Sequence, residues 1–201
     1  MRRLALAVAL ASVAVAVAIP AQTPSAPKPW PISAAPAEMR PTISRADLMI
    51  TAMHDALLRE LNDALARGGP GDAIDACHID VTAVSQRLGR SHGVPAGRTG
   101  DRLRDPTNAP RPWAAGIVKE YATRRARDVE GFAVDLGDRV GVIRPIAERS
   151  MCAGCHGPLE GLGSGVRQVL AERYPADRAV GFANGEIRGW YWVEMPKIPK
   201  E

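Results

Sequence analysis

Apolar residues recur along this chain with two different periods. Ile50, Met53, Leu57, Leu61 and Leu65 are spaced by three and four, which puts them on one face of an α-helix. Ser44 suits the N-cap, where its hydroxyl accepts a bond from an otherwise unpaired backbone N–H, and Asp47 suits the positive end of the helix dipole. Gly68-Gly69-Pro70-Gly71 stops this helix. A second stripe, Ile74, Cys77, Val81, Val84 and Leu88, predicts a helix from about Asp72 to Leu88. Residues 89–112, rich in Gly, Pro, Arg and Asn, predict a long structured loop with one short strand. Trp113 to Arg127 reads as a third helix with a basic end.

The period then shortens to two. Phe132 to Leu136 and Val140 to Ile146 predict two strands joined by a hairpin turn at Gly137-Asp138. Gly161 to Gly165 is a turn before a short helix, Val166 to Arg173. In the stretch Ile187 to Met195, Trp190 and Trp192 share one face while Tyr191 and Val193 share the other. Helices gathered early and strands gathered late predict an α+β fold built on one antiparallel sheet.

The N-terminus has a different character. Met1-Arg2-Arg3 is a positive start, and Leu4 to Ile19 is an apolar run of 16 residues interrupted only by Ser12. That is short for a spanning helix, which needs about 20 residues, and has the form of an export signal. Cleavage after Ala18 fits the small-x-small rule but places Pro20 just beyond the cut, cleavage after Ala21 has the large Ile19 at its first position, and an uncleaved membrane anchor is the alternative. The expected location is the periplasm, with no stable membrane span after cleavage. Residues 20–41 hold seven prolines, an extended spacer in which Trp30 is read as exposed. The expected organisation is a signal peptide over 1–21, a proline-rich linker over 22–42 and one domain over 43–201.

Charge adds little. The net +4 falls to +2 once Arg2 and Arg3 leave, with 24 basic residues against 22 acidic. No basic stretch is interleaved with aromatics, so nucleic acid is not an expected partner.

The chemistry concentrates in Cys152-Ala153-Gly154-Cys155-His156, the spacing of c-type haem attachment. Two thiols with two residues between them match the separation of the porphyrin vinyl groups, and the next histidine lies beneath the iron as an axial ligand. The small Ala153 and Gly154 let the backbone turn tightly. A redox dithiol would sit in a thioredoxin-like βαβ setting, and a zinc site would need a second pair of ligands; neither pattern is present. One covalent haem c is therefore expected, held by Cys152 and Cys155 with His156 on the iron.

A sixth ligand remains open from the residues alone. The candidates are Cys77, His54, His78, His92 and the methionines, among them Met53 and Met195. Cys77 is the one cysteine outside the motif and lies within the second apolar stripe, where a small buried hydrophobe is the competing reading. His54 flanks the first stripe and reads as a core or surface histidine, His92 as a solvated one. Arg98, Arg102 and Arg104 are candidates to anchor haem propionates, or else form a solvated basic loop.

From Gly71 onward the chain resembles a cyanobacterial c-type haem protein family with a PAS-like fold, a domain that also forms the extracytoplasmic sensor part of some bacterial histidine kinases. The matching stretches are Ala73-Ile74-Asp75-Ala76-Cys77, Gly97-Arg98-Thr99, and Arg104-Asp105-Pro106-Thr107-Asn108-Ala109-Pro110 with Trp113. They continue with Arg144-Pro145-Ile146, Cys152-Ala153-Gly154-Cys155-His156-Gly157, Tyr174 to Phe182, and Gly185-Glu186-Ile187-Arg188-Gly189. The resemblance departs at Gly100, Asp105 and Ala114. It implies a PAS-like antiparallel sheet with flanking helices, and it implies that Cys77 is the second axial ligand, giving His/Cys coordination.

A six-coordinate haem of that kind points to redox sensing or signalling through another protein rather than to an enzyme. A plain periplasmic electron-transfer cytochrome is the competing class. A peroxidase-like enzyme, with His78 as acid–base residue, is a more distant third.

Overall fold

The computed structural model describes residues 27–91 and 93–198. Inside its longest helix the side chains at 70, 72, 75–86, 88 and 91 fall outside that description. The export signal and its cleavage sites, His92, and the side chains of Cys77 and His78 therefore lie outside the described residues.

Alternation of apolar residues determines how the sheet is covered. Five strands, β1 (Pro29–Pro31), β2 (Ala96–Thr99), β3 (Phe132–Asp135), β4 (Arg139–Ala147) and β5 (Ile187–Pro196), form one sheet in the order β1-β3-β4-β5-β2, antiparallel throughout. Ala133, Val142, Tyr191, Val193 and Met195 point to one face. There they meet Ile43, Ile50, Met53 and Leu57 of helix α1 (Arg40–Ser91). Their neighbours Phe132, Val134, Ile143 and Trp190 point to the other face, under Ala114, Ile117 and Val118 of helix α2 (Pro112–Glu120). A period of two in a strand puts successive side chains on opposite faces, so each strand feeds two cores. The hairpin at Gly137-Asp138 connects β3 to β4, with Gly137 at φ 91, a left-handed conformation that glycine adopts without a Cβ clash.

Helix α1 runs through the glycine cluster with one non-helical residue, Gly69 (φ 76, ψ −161). The expected stop is thus a break between two arms, residues 40–68 over the sheet and residues 70–91 beyond it. Ile74 of the second arm packs with Val166 and Leu170 of helix α4 (Ser164–Arg173) and with Leu162 and Tyr174.

Three expectations are corrected. Helix α1 begins at Arg40 rather than at Ser44, because Pro41 in its first turn lacks an N–H that would have no intrahelical partner there in any case. The expected linker over 22–42 gives way to ordered structure from Pro29. Strand β1 pairs Trp30 with Ala133 at the sheet edge, where proline is tolerated, and two 3-10 turns (Ile32–Ala34, Ala37–Met39) lead into α1 with Met39 buried. Trp30 is partly buried against the first core rather than fully exposed. The third helix stops at Glu120 instead of Arg127. Beyond it the backbone at 124–126 bonds to 185–187, with Ala126 N–H donating to Gly185 (2.9 Å) and Ile187 N–H to Arg124 (3.0 Å). Among the described residues, no helix is long and apolar enough to cross a membrane.

Candidate functional site

A cavity of about 420 Å³ opens between α1, the β2–β4–β5 end of the sheet and the segment around Cys152. Its size is that of a small-molecule or cofactor pocket. Ile50, Leu57, Leu58, Leu61 and Leu65 from the first arm of α1, with Ala73 and Ile74 from the second, make an apolar wall. Cys152, Cys155 and His156 line it from the short helix α3 (Ala153–His156) and the turn before it. Arg98, Arg102, Arg104, Arg144, Arg149 and Arg188 also line it.

His156 is the most constrained of these groups. Its Nδ1 lies 2.7 Å from the Ala179 carbonyl. A carbonyl can only accept, so Nδ1 carries the proton. Burial, with the positive Arg188 and Arg104 nearby, holds the imidazolium well below the usual histidine range, so the ring is neutral. A neutral ring protonated at Nδ1 has a bare Nε2 lone pair, the form in which histidine binds a metal.

The loop after α4 fixes that arrangement. Asp177 accepts from Arg104 Nε (3.0 Å) and from the Ala179 N–H (2.7 Å). Arg104 also donates to the Cys155 carbonyl (2.6 Å). Gly181 and Phe182 N–H groups donate to the carbonyls of Gly157 (2.8 Å) and His156 (3.1 Å). One carboxylate thus positions both the motif's backbone and the acceptor of its imidazole. Asp177→Ala is expected to destabilise the fold by about 3–5 kcal/mol, since it strands Arg104, whose side chain is 13% exposed. A denaturant melt checks this.

The three arginines anticipated for propionates all line the cavity. Arg104 braces the motif, and Arg102 donates to Val180 O (2.9 Å) while stacking 3.6 Å from the centre of the Phe182 ring. Arg144 was not anticipated. It forms a two-pronged pair with Asp47 of α1 (2.8 and 2.6 Å) and also donates to the Glu130 carbonyl.

Arg188 reaches the cavity through an irregularity. Ile146 pairs with Gly189 and Ala147 with Ile187, which leaves Arg188 as the extra residue of a β-bulge. Ile187 and Trp190 both face the α2 core, so the bulge is what turns Arg188 to the cavity side. Gly189 allows the sheet to close beside it, because a Cβ there would sit 2.9 Å from the Thr99 carbonyl oxygen.

The other ligand candidates divide between the cavity and the core. His54 is neither plain core nor plain surface: it lines the cavity, with Nδ1 3.0 Å from the Tyr191 hydroxyl. Burial raises the Tyr191 pKa, so that hydroxyl stays protonated. Met53 and Met195 lie in the sheet core, outside the cavity lining. Position 77 is one turn beyond Ile74 on the second arm of α1. His54 and Tyr191 meet because the inner face of α1 covers the sheet face that carries Tyr191.

A single antiparallel sheet, crossed on one face by a long broken helix and opened into a cavity lined by cysteines and a histidine, defines an α+β protein of PAS-like fold. A family model, that of the Tll0287-like proteins, matches residues 10–196, and the chain belongs to that family. Among solved structures it is similar to one described as the cyanobacterial heme-protein Tll0287, at 21% identity and a TM-score of 0.59, covering 83% of this chain and 100% of the other. No curated protein matches the chain.

Proposed function

We propose that this chain is an exported mono-haem c-type cytochrome with His/Cys axial ligation, acting as a redox sensor or signalling module. The observation that carries the reading is the meeting of Cys152, Cys155 and a neutral, Nδ1-anchored His156 on the wall of one cavity. The donor set fits the group: two thiols for covalent attachment, a bare imidazole nitrogen for the iron, an apolar wall for the macrocycle and guanidinium groups for its carboxylates. Membership of a family that includes a heme-protein agrees with this.

A bound haem would supply one-electron redox chemistry. The protein's residues do the rest. Cys152 and Cys155 would hold the group by adding their thiols to its two vinyl groups, each S–H giving one C–S and one C–H bond with no net oxidation. Ala179 keeps His156 in the ligating tautomer. The leucines of α1 exclude water. Arg98 and the bulge residue Arg188, which line the cavity, would face the propionates.

Cys77 is assigned as the other axial ligand on the strength of the family resemblance. An anionic sulfur favours the oxidised state and lowers the potential. Release of that sulfur on reduction would untie the second arm of α1, a discrete change of the kind that a signalling partner can read.

Protein from a host able to attach haem is expected to give a c-type pyridine haemochrome spectrum and a mass increased by one haem. Its oxidised form should show the electron paramagnetic resonance of a low-spin thiolate-ligated haem. Colourless protein of unmodified mass would end the reading.

A further inference from the structure

Glu148 follows directly on β4 and is 1% exposed. Neither of its carboxylate oxygens accepts a hydrogen bond from the described residues. Arg188 Nε, 3.5 Å from Oε2, also lacks a hydrogen-bond acceptor. A charged carboxylate buried without hydrogen bonds is among the costliest groups a fold can hold.

Its placement is built into the sheet. The Glu148 N–H donates to the Glu186 carbonyl (2.8 Å), and its carbonyl accepts from Gly185 (2.8 Å). Its counter-ion, Arg188, is the residue that the β-bulge turns toward the cavity. The guanidinium therefore stands between a buried acid behind the wall and whatever fills the cavity in front of it.

The charged groups facing Glu148 are Arg188 from β5, Arg104 from the loop after β2, and Glu186 from the turn before β5. Burial raises its pKa above the ordinary glutamate range. The two arginines oppose that rise and Glu186 adds to it. Opposed influences of this kind make the carboxyl responsive to one unit of charge added nearby, since charges in a poorly screened interior act over several ångströms.

We propose that Glu148 takes up one proton when the cavity's haem gains one electron, with Arg188 coupling the two events. This rests on the haem reading above. The electron comes from an external one-electron donor and ends on the iron. The proton comes from solvent and forms a single O–H bond on Glu148, so the buried site gains no net charge.

The sign follows from linkage. A reduced state that holds an extra proton is favoured at low pH, so the midpoint potential falls as pH rises. The fall occupies the window between the Glu148 pKa of the oxidised protein and its higher pKa in the reduced protein. A tenfold change in proton activity is worth at most about 59 mV for a one-electron couple.

The test is a spectroelectrochemical titration of the full haem-loaded protein from about pH 5 to about pH 8, with chemical reductant and mediators. The wild-type potential is expected to fall across this range, and E148Q is expected to flatten the slope while keeping the haem spectrum. Redox-difference infrared spectroscopy of the wild type supplies a second reading that does not depend on the folding of E148Q. Reduction should produce the carbonyl band of a protonated carboxyl, shifted in deuterated water and by isotope labelling of glutamate. A slope that survives in E148Q, a wild-type potential independent of pH, or a carboxyl band insensitive to glutamate labelling would overturn the proposal. Each outcome is read on protein that carries haem, so none is confused with failure of the haem reading, which would show first as colourless protein.

Discussion

Replacing both Cys152 and Cys155 by alanine is expected to give a folded protein that holds no haem through denaturing electrophoresis. The structural cost is small, because both side chains are only partly buried and the third core, around Ile74, Leu162 and Leu170, closes mainly on larger residues. The chemical effect is complete, because these two are the cysteines of the attachment motif and line the same cavity as the histidine that would ligate the iron. Each single variant should retain haem through one thioether, and His156→Ala should retain both bonds while changing the spin state. Haem staining of a denaturing gel, with the intact mass, separates these cases. A double variant that still carried covalent haem would move the attachment elsewhere, with Cys77 as the remaining thiol.

The elements legible in the sequence are those whose pattern is local. The stripe Ile50, Met53, Leu57 was visible because a helix repeats its face every three to four residues, and all three are buried against the sheet. The split between Trp190 and Tyr191 was visible because a strand repeats every two, and the two rings do enter different cores. What escaped was decided by partners distant in the chain. Pro29 to Pro31 reads as a spacer by composition, yet Trp30 finds Ala133 at the sheet edge. Arg124 to Arg127 has ordinary helix-forming residues, yet its backbone is claimed by residues 185–187.

The site divides in the same way. Cys152, Cys155 and His156 lie within five residues and carry their own spacing, so the sequence alone proposes them, and the fold places all three on one cavity wall. The residues that tune them are not contiguous. Asp177 and Ala179 hold His156 from the loop after α4, and Glu148 meets Arg188 across two strands. Arg188 would face the α2 core in a regular strand. Only the bulge, a misalignment of two strands that neither strand announces, brings it to the cavity.

Cys77→Ser is the variant that separates a sensor from a carrier. Serine keeps the size and removes the anionic sulfur, so the thiolate resonance of the oxidised protein is expected to vanish and the midpoint potential to rise. Both classes share that result. They part on conformation. If Cys77 leaves the iron on reduction, the wild type should show a redox-dependent change in amide hydrogen exchange confined to the second arm of α1, residues 70–91, where Gly69 already interrupts the helix. Cys77→Ser, already untied in both states, should lose that difference. In a carrier, which holds its ligands in both states, the wild type should show no such difference, and the substitution should shift the potential alone. Carbon monoxide binding to the reduced wild type would support release of the sulfur, whereas an unchanged coordination state on reduction would favour the carrier. The geometry gives the sensor outcome a mechanical basis. The first arm of α1 is fixed to the sheet by the Asp47–Arg144 pair, so loosening beyond Gly69 would leave the fold's main core intact.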